Sequence, residues 1–232
     1  MNRDKPRPFV LAATCEDPEA ATLVYGSTQR TERLAGAAGI EIDAVRTGLN
    51  SNGLYTTTYF YPAILTLIDT GALPSPAGFL GKSLPALRTA LRSALGIGRG
   101  SCRNTASPPG SRRGRLVVLT PPAARELGSA IALILTDHEY SRETRYHIIV
   151  PVVPGPRGEP GRHDVRVSNA EWFAVLKRPV ESVLLPATLT LSIWHAQAIA
   201  RETEYVVDDQ TLAELDQRLC DYFSLPPLGT TG

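Results

Sequence analysis

Hydrophobic and polar positions follow two different periods along this chain, and the period changes in the same order twice. Short runs rich in Val, Ile, Leu, Thr and Tyr come first in each half, and one stretch with a helical repeat closes it. In the first half the runs predict strands at 9–14, 21–25, 40–45 and 59–68, the last within "LYTTTYFYPAILTLI". Pro62 interrupts that run, since proline lacks the N–H a ladder needs, and predicts an edge or a bulge there. "KSLPALRTALRSALG" then changes to helical spacing, with Leu84, Leu87, Leu91 and Leu95 on one face. Ser83 offers an N-cap, Pro85 suits the first turn and Gly96 stops the helix.

The second half predicts strands at 115–119, 131–136, 146–153, 164–167, 172–177, 181–185 and about 192–197. "VVDDQTLAELDQRLCDYFSL" closes it, with Asp208 or Asp209 as cap and Leu212, Leu215, Leu219 and Phe223 as the apolar stripe. Between the halves, "GIGRGSCRNTASPPGSRRG" has no apolar period and is rich in Gly, Ser, Pro and Arg, the composition of a linker. The expected organisation is a mainly β chain with few helices: a small barrel over 1–97, a flexible linker over 98–114 and a second small barrel over 115–232. A parallel sheet is disfavoured, because it needs a helix between successive strands.

Charge narrows the partners. Residues 1–97 carry nine Lys/Arg against eight Asp/Glu, 98–114 carry four arginines and no acid, and 115–232 carry eleven against fifteen. No half has the excess of a broadly basic nucleic-acid binder, so any phosphate contact is local. The three cysteines, Cys15, Cys102 and Cys220, are odd in number and far apart, which points to a reducing cytoplasm rather than a disulfide framework. Neither a membrane-spanning apolar run nor a signal-peptide pattern is expected from "MNRDKPRP" or the short apolar runs.

Several stretches invite a chemical reading. "GFLGKSL" resembles a phosphate loop, but the pattern needs Gly five positions before Gly81 and has Pro76 there, so a helix cap fits better. His138, His147, His163 and His195 form no ligand-spaced pair, and no metal or other cofactor is expected. "DHEY" at 137–140 reads as a polar turn. "SRETRYH" places Arg142 and Arg145 in a loop before a strand, where guanidinium forks suit phosphate. The plain alternative is a solvated loop in which they pair with Glu143. "PGPRGEPGRHD" is a Gly/Pro-rich hairpin loop carrying Arg157 and Arg162, of the kind that often bears recognition.

The N-terminal stretch "KPRPFVLAA…LVYGSTQ" puts Arg7-Pro8 before one strand and Gly26-Ser27-Thr28 after the next. On these motifs residues 5–96 resemble the MazF/PemK toxins, metal-independent ribonucleases of toxin–antitoxin systems. "GRLVVLTPP", "SAIALILTD", "YHIIVPVVPG" and "ESVLLPATLTLSIWHAQAI" give the second half a similar likeness. The resemblance implies two SH3-like, MazF-like barrels in one chain, forming a pseudo-dimer where the family makes a homodimer. It implies single-stranded RNA as substrate and an antitoxin-like protein as partner. The family's Arg-Pro is Ser129-Ala130 in the second half and its Thr falls on Val153, so that half is expected to be silent. Only six residues precede Arg7, so the family's usual first strand is expected to be missing or to come from elsewhere.

The resemblance makes Arg7, Ser27 and Thr28 the expected catalytic residues. Metal-free RNA cleavage turns the 2′-hydroxyl against the adjacent phosphate, so the site must stabilise charge on phosphoryl oxygens and move two protons. Arg7 would grip the phosphate through its fork and Ser27 or Thr28 would donate to an oxygen. Residue types alone favour a plainer arrangement, in which Arg7 pairs with Asp4 or Glu16 while Ser27-Thr28 closes a turn; the resemblance is what brings the catalytic reading level with it. Two functions stay open: an endoribonuclease with one site in the N-terminal half and RNA contacts at Arg142, Arg145, Arg157 and Arg162, or a non-catalytic binding protein on the same scaffold.

Overall fold

A computed structural model of the chain describes residues 7–16, 19–29, 39–45, 51–104, 110–136, 141–142, 144–154, 160–167 and 182–227. The structure is mainly β. In the N-terminal half β1 (Phe9–Glu16), β2 (Glu19–Ser27), β3 (Ile40–Ile42) and β4 (Thr58–Asp69) form an antiparallel sheet ordered β1-β2-β4-β3, followed by α1 (Leu84–Ala94). Beyond it lie β5 (Arg115–Leu119), α2 (Pro121–Leu127), β6 (Ile131–Ile134), β7 (Tyr146–Pro151), β8 (Val153–Pro154), β9 (Asp164–Val167) and β10 (Val183–Pro186). The chain continues through β11 (Leu191–Trp194), the single turn α3 (His195–Ala198), β12 (Ile199–Val206) and α4 (Asp209–Tyr222). These strands make a five-stranded sheet, β11-β7-β6-β5-β12, and a three-stranded one, β8-β10-β9.

Pro62 acts as its chemistry requires. Across β2 and β4, Tyr25 pairs with Tyr61 but Val24 pairs with Leu65, so residues 62–64 bulge out of the ladder. The backbone groups freed by the bulge find a side chain of the other half. Ser192 on β11 donates its hydroxyl to the Ala63 carbonyl at 2.6 Å and accepts the Leu65 N–H at 2.8 Å. The bulge thereby ties the two sheets together.

One apolar core runs through both halves. It joins Val24, Phe60 and Leu65 of the first sheet with Leu87, Leu91 and Leu95 of the α1 region, Leu133, Ile148 and Val150 of the second, and Leu212, Leu215, Leu219 and Phe223 of the α4 region. Leu84 stands apart from its expected stripe: it is 36% exposed, because it opens α1 before the helix reaches the sheet. On the other face of the five-stranded sheet, Val117, Leu119, Ala132, Ile134 and Ile149 form a second cluster, packed by Ala123, Ala124 and Leu127 of α2.

The segment read as a linker is anchored in its described parts. Arg113 is 1% exposed and donates to the carbonyls of Leu95, Leu135 and Arg99 at 2.7, 2.9 and 2.9 Å, and its guanidinium also meets Asp216 on α4. The Gly98 and Ser101 N–H groups donate to Asp216 and Asp209 at 2.8 and 2.6 Å. The composition resembled a tether because its anchors are backbone amides and one buried arginine, which carry no apolar period.

Several elements depart from expectation. Ser83 makes no capping bond and lies in helical backbone, since a short 3₁₀ turn over Gly81–Ser83 already leads into α1. Asp208 does cap α4, accepting the Thr211 N–H at 2.7 Å. The helix α2 follows Thr120 with prolines in its first turn, where a missing N–H costs nothing. The stretch 192–197 divides into the end of β11 and the turn α3, and β12 is a strand that its charges concealed. As the edge beside β5, it leaves Arg201, Glu202 and Glu204 in solvent. The strand expected at 172–177 lies outside the described residues. Among those described, no helix is long and apolar enough to cross a membrane.

Candidate functional site

The register of β1 and β2 brings the Arg7 end together with the Ser27 end. Phe9 pairs with Tyr25, and one step further the Gly26 N–H donates to the Pro8 carbonyl at 2.9 Å, so Arg7 comes alongside Ser27. Gly26 permits this approach: a Cβ there would stand 2.7 Å from the Phe60 ring and 2.9 Å from the Pro8 carbonyl. Arg7 is half-buried and donates to the Tyr25 hydroxyl at 3.2 Å. Tyr25 in turn packs edge-on to Phe9, with centroids 5.8 Å apart. Ser27 is 2% exposed and accepts the Gln29 N–H at 3.2 Å, while Thr28 is exposed. The cluster offers a cation and a hydroxyl at one strand mouth. Among the described residues, no imidazole or carboxylate hydrogen-bonds to Arg7, Ser27 or Thr28 that would move a proton there.

A second cluster has those groups. At the end of the five-stranded sheet where β5 and β7 begin, Arg112, Ser141, Arg142, Arg145, His195 and Ala196 line a cleft of about 340 Å³. Strand pairing assembles it. β11 ends with Trp194 opposite Tyr146 at the start of β7, so the next residues out, His195 and Arg145, meet across the ladder. Arg112 arrives from just before β5, which is separated from β7 only by β6. Arg142 and Arg145 are exposed. Arg112 is half-buried and pairs through Nε with Glu202 at 3.1 Å.

The two histidines here differ in chemistry. His147 is fully buried, with its Nδ1 2.9 Å from the Ser141 hydroxyl and its ring edge-on to His195 at 5.2 Å. Burial, followed by the positive charges of His195 and Arg112, lowers its pKa to about 3. It is therefore neutral near pH 7, and among the described residues no carboxylate pairs with its ring, which disfavours a Ser141–His147 nucleophile pair. His195 is half-buried, and its Nδ1 lies 2.6 Å from the Arg145 carbonyl. A carbonyl only accepts, so this contact is a hydrogen bond when Nδ1 carries the ring's proton, the form that leaves a lone pair on Nε2.

Of the residues singled out in the sequence, Arg142 and Arg145 share this cleft. Arg162 does not: it lies before β9, where its carbonyl accepts from Arg218 of α4 at 3.2 Å. Arg157 lies outside the described residues. Sequence reading missed Arg112, Ser141, His147 and His195 as a group, because they are brought together by strand pairing across up to about 80 positions rather than by local spacing. The one signal for Arg112 was the acid-free run 98–114 with its four arginines, which does not say which arginine faces solvent. Ser129 and Val153, which the resemblance singled out in the second half, are not part of this cleft: Ser129 precedes β6, and Val153 opens β8 of the three-stranded sheet. Ser129 donates to the Val152 carbonyl at 2.6 Å. Among the described residues, no group of three or more His, Cys, Asp or Glu side chains is placed to hold a metal. Compared with known proteins, the chain matches no family model and no curated protein.

Proposed function

We propose that this protein is a metal-independent endoribonuclease acting on single-stranded RNA, with its chemistry in the arginine–histidine cleft. The observation that carries the reading is the cleft that Arg142, Arg145 and Arg112 line together with His195, a proton-transfer group in the same wall as three arginines. In the reaction, His195 Nε2 takes the 2′-hydroxyl proton as the 2′-oxygen bonds to phosphorus. The bond from phosphorus to the 5′-oxygen then breaks, and water returns a proton to that oxygen. Arg142 and Arg145 stabilise the charge that builds on the phosphoryl oxygens. Arg7 and the exposed Thr28 hold the strand at a separate phosphate rather than at the bond that breaks, with the buried Ser27 closing the turn beneath them.

The toxin-like resemblance belongs to the same proposal, including two barrels related as a pseudo-dimer in the cytoplasm and an antitoxin-like partner. An antiparallel sheet followed by a helix in each half supports the duplication. The strand orders of the two sheets differ, which sets the halves apart. A second reading, a binding protein without cleavage, is favoured by the exposed Phe9 and Leu11 on the edge strand β1.

The test is incubation of purified protein with mixed-sequence single-stranded RNA in EDTA. The expected result is fragments ending in 2′,3′-cyclic phosphate, with His195→Ala slowing their formation by about 100-fold or more. Retention of intact RNA without cleavage would favour the binding reading. RNA that is neither retained nor cleaved overturns both readings.

A further inference from the structure

Arg145 does something at the cleft that its charge does not explain. Its φ is +60°, and Ser224 is the one other non-glycine residue among those described with positive φ. Left-handed backbone suits glycine, and a side chain held there at a functional site marks a conformation imposed by its surroundings. Here the surroundings are explicit. The Arg145 N–H donates to the Ser141 carbonyl at 2.9 Å, closing a helical turn. Immediately afterwards the Tyr146 N–H donates to the Thr144 hydroxyl at 3.0 Å as β7 begins. The chain must leave a helical turn and enter a strand within one residue. That residue's carbonyl is turned to His195, accepting its N–H at 3.3 Å and lying 2.6 Å from its ring Nδ1.

We propose that Arg145 is a positioning residue whose left-handed main chain holds the His195 ring as the Nδ1–H tautomer, with Nε2 left for proton transfer. Its consequence for turnover rests on the ribonuclease reading; the tautomer itself does not. Glycine would satisfy the backbone more easily. Arginine keeps the carbonyl on His195 and adds a guanidinium to the cleft wall, so one position supplies both the tautomer and a phosphate contact. Arg142, three residues earlier, supplies only charge.

The experiment is nitrogen-15 NMR of the histidine rings in full-length protein at pH 8, with the His195 signals assigned by their loss in His195→Ala. Wild type should show His195 protonated at Nδ1. Arg145→Gly, which tolerates the left-handed backbone, should keep that signature while RNA cleavage falls about tenfold or more from the lost guanidinium. Arg145→Val, whose branched side chain resists positive φ, should convert His195 to a mixture of tautomers and lower cleavage further than Arg145→Gly. An Nε2–H tautomer in the wild type overturns the proposal, and this result needs no variant to fold. An unchanged His195 signature in folded Arg145→Val overturns it as well. Failure of the wild type to cleave RNA, with Nδ1–H intact, would count against the ribonuclease reading and leave the positioning role standing.

Discussion

Arg113 and Asp216 meet in the interior as an ion pair, 1% and 2% exposed, that joins the approach to β5 with helix α4. The pair is embedded in a network. The other carboxylate oxygen accepts the Gly98 N–H at 2.8 Å, and the guanidinium donates to three backbone carbonyls besides. Burial raises the Asp216 pKa against the pull of Arg113, so the carboxylate depends on its partner. Asp216→Ala leaves a buried guanidinium without its counter-charge and should lower the unfolding free energy in urea by about 3–5 kcal/mol. The double replacement Arg113→Met with Asp216→Leu should recover only part of this loss. An apolar pair removes the unpaired charge but strips donors from the Leu95, Leu135 and Arg99 carbonyls, at about 1–3 kcal/mol for each left unsatisfied. Full recovery would mean that water serves those carbonyls equally well.

His147 should make the fold sensitive to mild acid. Its folded pKa of about 3 lies below the ordinary value of 6.5, so below pH 6.5 the unfolded chain takes up a proton that the folded chain refuses. Its contribution to stability is complete above pH 6.5 and is lost progressively as pH falls toward 3. The slope approaches about 1.4 kcal/mol per pH unit once pH is well below 6.5, giving a loss of about 1.6 kcal/mol between pH 6.5 and 5. Urea unfolding at the two pH values measures it, and His147→Asn should flatten the difference. An unchanged difference in that variant would assign the acid sensitivity to other groups.

Variants of Arg7 test whether strand binding and chemistry are separate under the proposed reaction. Arg7→Ala should weaken RNA binding and reduce its salt dependence, while turnover at saturating RNA stays within about threefold. Arg7→Lys should recover little of the binding, because a point charge does not replace the fork that also reaches the Tyr25 hydroxyl. Loss of turnover at saturating RNA would move the chemistry to the N-terminal strand mouth.

Packing differs along α1, and α4 supplies a fully buried reference. Leu91 and Leu215 are 3% and 0% exposed, and alanine at either should cost about 2–5 kcal/mol. Leu84→Ala should cost less than about 1 kcal/mol, since that side chain already meets solvent. Thermal or urea unfolding of the three variants ranks them.

Gly26→Ala tests the close approach of β1 to β2. The added methyl meets the Phe60 ring and the Pro8 carbonyl at under 3 Å. The strand mouth must therefore open, at about 1–3 kcal/mol of overpacking, and Arg7 should move away from Tyr25. Unfolding measurements together with the Tyr25 fluorescence environment would register both effects.

Local chemistry was legible in the sequence wherever it acts through neighbours along the chain. The strands at 9–14 and 21–25 and the helix over 84–94 follow from period, and Pro62 announces its bulge because a missing N–H is a property of one residue. Asp208 is a cap for the same reason. Only the tertiary structure decided what the other half supplies: Ser192 for the freed backbone at the bulge, Asp216 and three carbonyls for Arg113, and a common core in place of an open tether. The candidate site divides along the same line. Arg142 and Arg145 stand close enough in sequence to be noticed together, whereas Arg112 and His195 join them only because β5, β6, β7 and β11 align in one sheet. Strand order and register are fixed by burial of side chains far apart in sequence, so no local pattern in this chain carries the position of its cleft.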